Sequence, residues 1–166
     1  VRSIVTRGSM GGLARSAQEA ADVLDALGKD WVVLETVGVG QSELAVAAAC
    51  DVTVVVLVPE AGGAVQAMKA GLMEIADLFV VNKSDRPGAD EMVGQLREAA
   101  HHLHKDDWKV PILKVIAIQE QGLEELVDCL ERFRAWLQEG ERWEEKRLRQ
   151  AALRIRDLVR ARLEER

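Results

Sequence analysis

Cysteine is scarce in this chain. The two present, Cys50 and Cys129, lie far apart with no Cys or His beside them at ligand spacing. That argues against a disulfide framework or a zinc centre and for two reduced thiols in or near a core. Basic charge is also short. Lys and Arg number 22 against 28 Asp and Glu, a formal net charge of −6 with a pI of about 5.2. A nucleic-acid surface needs the opposite sign, so no nucleic-acid partner is expected. No apolar run reaches the roughly 18 residues of a membrane span, and no signal peptide is legible at the start, so no membrane role is expected. These absences favour a reducing, cytoplasmic setting. The first residue is Val rather than Met, and the chain reads as a fragment of a longer one.

What remains is enough for one domain with a core: 166 residues, 48% of them apolar, arranged in short runs. The runs at 30–35 (DWVVLE), 51–58 (DVTVVVLV), 78–82 (LFVVN) and 111–117 (PILKVIA) are β-branched and nearly continuous. Such runs fit strands buried on both faces, hence a parallel sheet. RSIVT near the start is a further candidate strand. Helical stretches lie between them. LARSAQEAADVLDALG ends at Gly28, a reasonable C-cap. SELAVAAA, AVQAMKAGLMEIA, ADEMVGQLREAAHHLHK and LEELVDCLERFRAWLQ follow the four strands in turn. The expected fold is α/β, a mostly parallel sheet flanked by helices, built of right-handed βαβ units. Ligands of such sheets bind at the carboxyl ends of the strands, here the loops after 35, 58, 82 and 117.

From Glu139 the composition turns to Arg and Glu, and Leu148, Ala152, Ile155, Val159 and Leu163 recur at helical spacing. This is an amphipathic helix with a narrow apolar stripe. Packing back on its own domain and serving as a dimerisation or partner arm both fit. The expected organisation is 1–138 as one α/β domain and 139–166 as a C-terminal helix.

The loop after the third strand, Asn82-Lys83-Ser84-Asp85 followed by a Pro-Gly turn, has the residues of a guanine reader. Guanine offers N1–H and N2–H₂ as two donors on one edge, which a single carboxylate accepts together. Asp85 has that role, Asn82 ties the loop and reaches N7 or O6, and the Lys83 stem lies over the purine face. Ala117, after the fourth strand, is placed to offer a backbone N–H to O6. In ETVGVGQSE, Glu35 closes a strand and is followed by x-x-Gly. That arrangement meets Mg²⁺ through a water and brings the Gly38 amide to a γ-phosphate oxygen. Val39 stands where Ras-like GTPases carry the water-orienting Gln, and Gln41 lies two residues further on, so slow intrinsic hydrolysis is expected. The phosphate-gripping pattern G-x-x-x-x-G-K-[ST] occurs nowhere in the 166 residues. Gly8, Gly11 and Gly12 form a separate Gly-rich stretch that does not match it.

Weaker signals read as structure. His101, His102 and His104 near Asp106 and Asp107 suit a solvated helix end better than a metal site. Trp31, Trp108, Trp136 and Trp143 are scattered, and packing is their default. Lys69 follows a strand end and fits a functional or a plain surface role.

The strings TRGSMGGLA, ETVGVGQSE, VQAMKAGLMEIADLFVVNKSDRPGAD and QGLEELVD, in order over nearly the whole chain, resemble the MeaB/ArgK family, whose human relative is the methylmalonic aciduria type A protein. The resemblance implies a P-loop NTPase fold of the SIMIBI-type GTPase branch, N-terminally truncated here. It implies GTP/GDP and Mg²⁺ as ligands and an adenosylcobalamin-dependent acyl-CoA mutase, such as methylmalonyl-CoA mutase, as client. GTP hydrolysis would drive chaperoning of the mutase cofactor, in a homodimer. Carried over, Glu35 matches the Mg²⁺-side acid, Gly38 to Gln41 the second switch, and Asn82, Lys83 and Asp85 the guanine loop. Residues 59–71, with Gln66 and Lys69, match a third switch that couples to the mutase, and the tail from Glu141 resembles the start of the dimerisation extension. Two departures stand out. The family's phosphate loop is expected upstream of Val1, and Gly62 is followed by Gly63 and Ala64 where the family often has an acidic residue. The competing readings are an adaptor without its own phosphate loop, and a metal-insertion GTPase of the same branch.

Overall fold

The computed structural model describes residues 12–36, 50–59, 72–101, 104–105 and 107–164. In chain order these contain α1 (Gly12–Ala26), β1 (Val54–Leu57), α2 (Leu72–Ile75), β2 (Leu78–Asn82), α3 (Ala89–Ala100), β3 (His104–Lys105), β4 (Trp108–Lys109), β5 (Ile112–Val115), a 3₁₀ turn (Ala117–Gln119), α4 (Leu123–Gln138) and α5 (Arg142–Glu164). The chain divides into two compact units, Val52–Trp143 on one side and Val1–Asp51 with Glu144–Arg166 on the other.

The unit Val52–Trp143 is built on a parallel sheet of order β1-β2-β5. Its central strand explains the unbroken apolar sequence of LFVVN. Leu78, Phe79, Val80 and Val81 are each at most 3% exposed, because helices cover both faces. Phe79 and Val81 face one way, onto the α3 stripe of Ala89, Met92, Val93, Leu96 and Ala100. Leu78 and Val80 face the other way with Leu113 and Val115, onto Cys129 of α4 and its partly buried neighbours Leu126 and Leu130. Fully burying one such Leu or Phe contributes about 1.5–3 kcal/mol relative to leaving it exposed. Burial also pushes the Cys129 thiol above its ordinary pKa, and neither cysteine is in a disulfide.

Two sequence expectations change here. The helix expected over 89–105 ends at Ala100, where the His101 N–H bonds back to Glu98. One turn beyond the last buried position stands the polar His104, so a continued helix has no core to face. The chain instead forms a short antiparallel pair, His104 opposite Lys109 and Lys105 opposite Trp108. This brings the Trp108 indole to the core. Its ring meets Phe133 edge-on at 4.9 Å, and its Nε1 donates to the Asp77 carbonyl at 2.9 Å. The strand expected over 30–35 is likewise absent: residues 31–36 belong to no strand. They keep the alternation of one, with Trp31, Val33 and Glu35 exposed and Val32 and Leu34 half-buried. A strand is defined by its ladder, which an apolar sequence invites but does not supply.

In the other unit, α1 closes as its sequence predicts. Gly28 takes φ 73°, its N–H bonds Asp25 at 2.8 Å, and the Lys29 N–H reaches Leu24 at 3.2 Å. That pairing is the Schellman closure. α5 is anchored by polar groups. Gln150 donates to the Cys50 carbonyl at 2.9 Å, Arg147 pairs with Asp51 at 3.4 Å and Arg154 with Asp22 at 2.8 Å. The apolar stripe falls on the other side of the helix, with Leu148 73%, Ile155 62%, Val159 56% and Leu163 67% exposed. The candidate strand RSIVT and the helix SELAVAAA lie outside the described residues.

Candidate functional site

β2 and β5 run in parallel register, so Asn82 and Val115 finish side by side. The two loops that leave them are tied together. Asn82 Oδ1 accepts the Lys83 N–H at 2.8 Å and the Ala117 N–H at 3.1 Å. The Ser84 N–H donates to the Val115 carbonyl at 3.2 Å. The first loop then turns, the Arg86 N–H bonding Lys83 at 3.0 Å and the Ala89 N–H bonding Arg86 at 3.3 Å. Lys83 sits at φ 56°, a left-handed conformation that a non-glycine residue adopts at a cost and that recurs at functional sites.

The second loop is closed on itself. Ile116 and Gln121 exchange backbone hydrogen bonds at 3.0 and 3.3 Å around the 3₁₀ turn, Glu120 takes φ 57°, and Gly122 takes φ 77°. Gly122 is required there, because a Cβ would stand 2.3 Å from the Lys114 carbonyl oxygen. A third tie joins the loops further out. Lys114 Nζ on β5 meets Asp90 Oδ1 in the first turn of α3 at 2.8 Å. The hydrogen bond from Lys114, and then its charge, holds the Asp90 carboxyl below the ordinary carboxylate range.

The chemistry follows from the inventory of lone pairs. Both acceptor positions of Asn82 Oδ1 are taken by backbone amides, and no described residue engages its Nδ2, which stands as a donor. Asp85 and Lys83 are exposed beside it. The structure therefore brings Asn82, Lys83, Asp85 and Ala117 into one loop cluster. Ala117 enters it through Asn82, its N–H committed to Oδ1. The sequence reading overlooked the Val115 carbonyl, the Lys114–Asp90 pair and the 93% exposed Ile118 beside Ala117. Of these, only the charges at 90 and 114 left any signal in the sequence.

Glu35 lies in the other unit and is exposed. Gly38, Gln41, Gln66 and Lys69 fall outside the described residues. Mg²⁺ is usually held by one or two carboxylates with waters and substrate phosphates, and an exposed glutamate fits as one contributor. Among the described residues there is no group of three or more His, Cys, Asp or Glu able to hold a metal. His101 caps the end of α3 and His104 begins β3, so the two are not together on one helix.

The fold is that of the LAO/AO transport system kinase, with a TM-score of 0.81 and 30% identity over 92% of this chain and 50% of that one. This places the molecule in the P-loop GTPase class of α/β folds. The chain belongs to the family of methylmalonyl Co-A mutase-associated GTPases, MeaB, which it matches over residues 1–166. A GTPase-named protein of Pyrococcus abyssi is 42% identical over 96% of this chain and 50% of its own length. GTPase ArgK of Escherichia coli is 32% identical over 91% and 47%. The mouse mitochondrial methylmalonic aciduria type A homolog is 34% identical over 80% and 33%. The chain thus spans about half the length, or less, of these relatives.

Proposed function

We propose that this chain carries the guanine-reading part of a GTPase that serves an adenosylcobalamin-dependent acyl-CoA mutase of the methylmalonyl-CoA type. GTP hydrolysis in this reading is coupled to loading and protection of the mutase cofactor, in the cytoplasm. One observation carries the base-reading role: the Asn82 side chain, fixed by two backbone amides, presents Nδ2 beside the exposed Asp85. Asp85 accepts guanine N1–H and N2–H₂, Asn82 Nδ2 donates to N7 or O6, and the Lys83 stem covers the ring. Ala117 supports the base through Asn82. Gly38 meets the γ-phosphate, Gln41 serves the hydrolysis centre, and Glu35 faces Mg²⁺ through a water. When bound, that ion neutralises phosphate charge. Gln66 and Lys69 couple to the client. The mutase role is supported by the family's description and by the relatives' names.

The GTPase region is proposed to end near residue 138, and 139–166 to begin a dimerisation arm that pairs through the exposed stripe of α5. The 166 residues hold no phosphate-gripping pattern, so they should bind GTP weakly by themselves. Titrations of this chain with GMP, IMP and AMP, followed by backbone NMR, test the base reading. GMP should shift Asn82, Lys83 and Ala117 at lower concentration than IMP, with AMP weakest, and Asp85→Asn should erase the GMP preference. Equal response to all three nucleotides would refute it. Micromolar GTP affinity by calorimetry would refute the placement of the phosphate grip outside these residues.

A further inference from the structure

α4 turns one side to the core and keeps an apolar feature on another. Cys129, Phe133 and Leu137 are buried. Val127 is not: it is 56% exposed, and Leu123 stands one helical turn before it. With Glu124 and Asp128 these two line a shallow depression of about 390 Å³. The charge along this stretch has one sign. From Val115 to Glu131 the chain carries five carboxylates, Glu120, Glu124, Glu125, Asp128 and Glu131, and no Lys, Arg or His. Arg132 and Arg134 come later in the helix. A single exposed valine needs no explanation. An apolar depression lined by acids of one sign suits a partner that is apolar at its centre and basic at its edge.

α5 has the converse pattern. Its stripe of Leu148, Ile155, Val159 and Leu163 is more than half exposed. From Lys146 to Arg156 it carries five Lys or Arg and no Asp or Glu. Lys146, Arg147 and Arg154 lie away from the stripe and hold Asp51 and Asp22. Arg149 and Arg162, both exposed, flank the stripe on its two sides. The ion pair of Arg149 is with Glu145 on the same helix, at 3.6 Å and largely exposed, so it restrains Arg149 little. We propose that the α4 surface around Val127 receives α5 of a second copy of this chain. This rests on the self-association proposed above for α5, and it names the surface that α5 meets. Two such contacts, each copy's α5 on the other's α4, are related by a two-fold axis and close the pair. Pairing of α5 with α5 would instead set two Arg-flanked stripes against each other, which like charge disfavours.

Charge reversal on each surface, read by sedimentation velocity of the 166-residue chain, tests this. One variant carries Glu124→Arg with Asp128→Arg, the other Arg149→Glu with Arg162→Glu. Each alone should self-associate about tenfold more weakly than wild type, because its two contacts now bring like charges together. An equimolar mixture should regain wild-type association as a mixed pair, since both contacts again join opposite charges. Glu124→Gln with Asp128→Asn should give a smaller loss in the same direction. Helix content by circular dichroism should be the same in all variants, because the changed side chains are exposed. Wild-type association of the Glu124→Arg, Asp128→Arg chain would overturn the α4 docking and leave the self-association of α5 standing. A mixture no more associated than its separate components would overturn it too. A wild-type chain that stays monomeric would remove both.

Discussion

Gly122 presses directly on the backbone of Lys114, with space for no side chain: a Cβ there would lie 2.3 Å from the carbonyl oxygen. Its φ of 77° is also one that L residues adopt at a cost. Gly122→Ala should destabilise the unit by roughly 2 kcal/mol or more, from the left-handed conformation and the clash together. Urea denaturation checks the magnitude. The Ala117 amide resonance should move more than those of α3, because the 116–122 loop must shift to make room.

Asp77 is the buried acid among the described residues. It is 2% exposed, its Oδ2 accepts the Thr53 N–H at 2.7 Å, and its carbonyl accepts Trp108 Nε1 at 2.9 Å. Asp77→Ala leaves the Thr53 amide without that acceptor and should cost about 2–3 kcal/mol. Asp77→Asn keeps an acceptor oxygen and should cost less. Equal losses in the two variants, by chemical denaturation, would show that what both lose, the second carboxylate oxygen, matters there rather than the acceptor for Thr53.

Acid should loosen the contacts of Asp107 with Trp136 and Arg142. Trp136 Nε1 donates to Asp107 at 2.6 Å, Arg142 pairs with the same oxygen at 3.0 Å, and the guanidinium lies 4.8 Å from the Trp136 ring centroid. The Trp136 hydrogen bond, more than the Arg142 charge, holds the Asp107 carboxyl below its ordinary range. A lowered folded pKa means the stabilisation is fully present above the unfolded value of about 3.9 and is lost as pH falls through the folded one. NMR titration of the Asp107 carboxyl should show an upward move in Trp136→Phe larger than in Arg142→Ala. The reverse order would assign the shift to charge.

The exposed stripe of α5 should make association depend on concentration. Ile155→Glu with Val159→Glu places two charges on that face and should shift the chain toward monomer in sedimentation velocity. The anchors Gln150 and Arg154 lie on the opposite face, so α5 should keep its helicity by circular dichroism. A wild-type chain that is monomeric at every concentration would remove the dimerisation role from this segment.

The sequence legibility of this fold follows locality. α4 was readable residue for residue over 123–138, because its apolar spacing, flanking Gly122 and downstream Gly140 are all local signals. β2 was readable because burial on both faces writes itself as an unbroken apolar run. The segment at 31–36 shows the limit: Val32, Val33 and Leu34 favour a strand, but pairing depends on distant residues. The end of α3 shows another, since HHLHK is helix-compatible, while the pairing of His104 and Lys105 depends on Trp108 and Lys109 further along. At the loop cluster, residue types named Asn82, Lys83 and Asp85. Which oxygen of Asn82 is occupied, and by whom, is a fact of two strands meeting.

That occupancy removes a degree of freedom. A free asparagine amide can swing its oxygen and nitrogen by half a turn, and ordering it on binding costs rotational entropy. With two N–H groups facing Oδ1, the swung form would set donor against donor at both contacts. The flip is therefore decided before anything arrives. Whatever settles above Asn82 meets a hydrogen-bond donor whose orientational entropy was surrendered when the chain folded, and it binds without that loss.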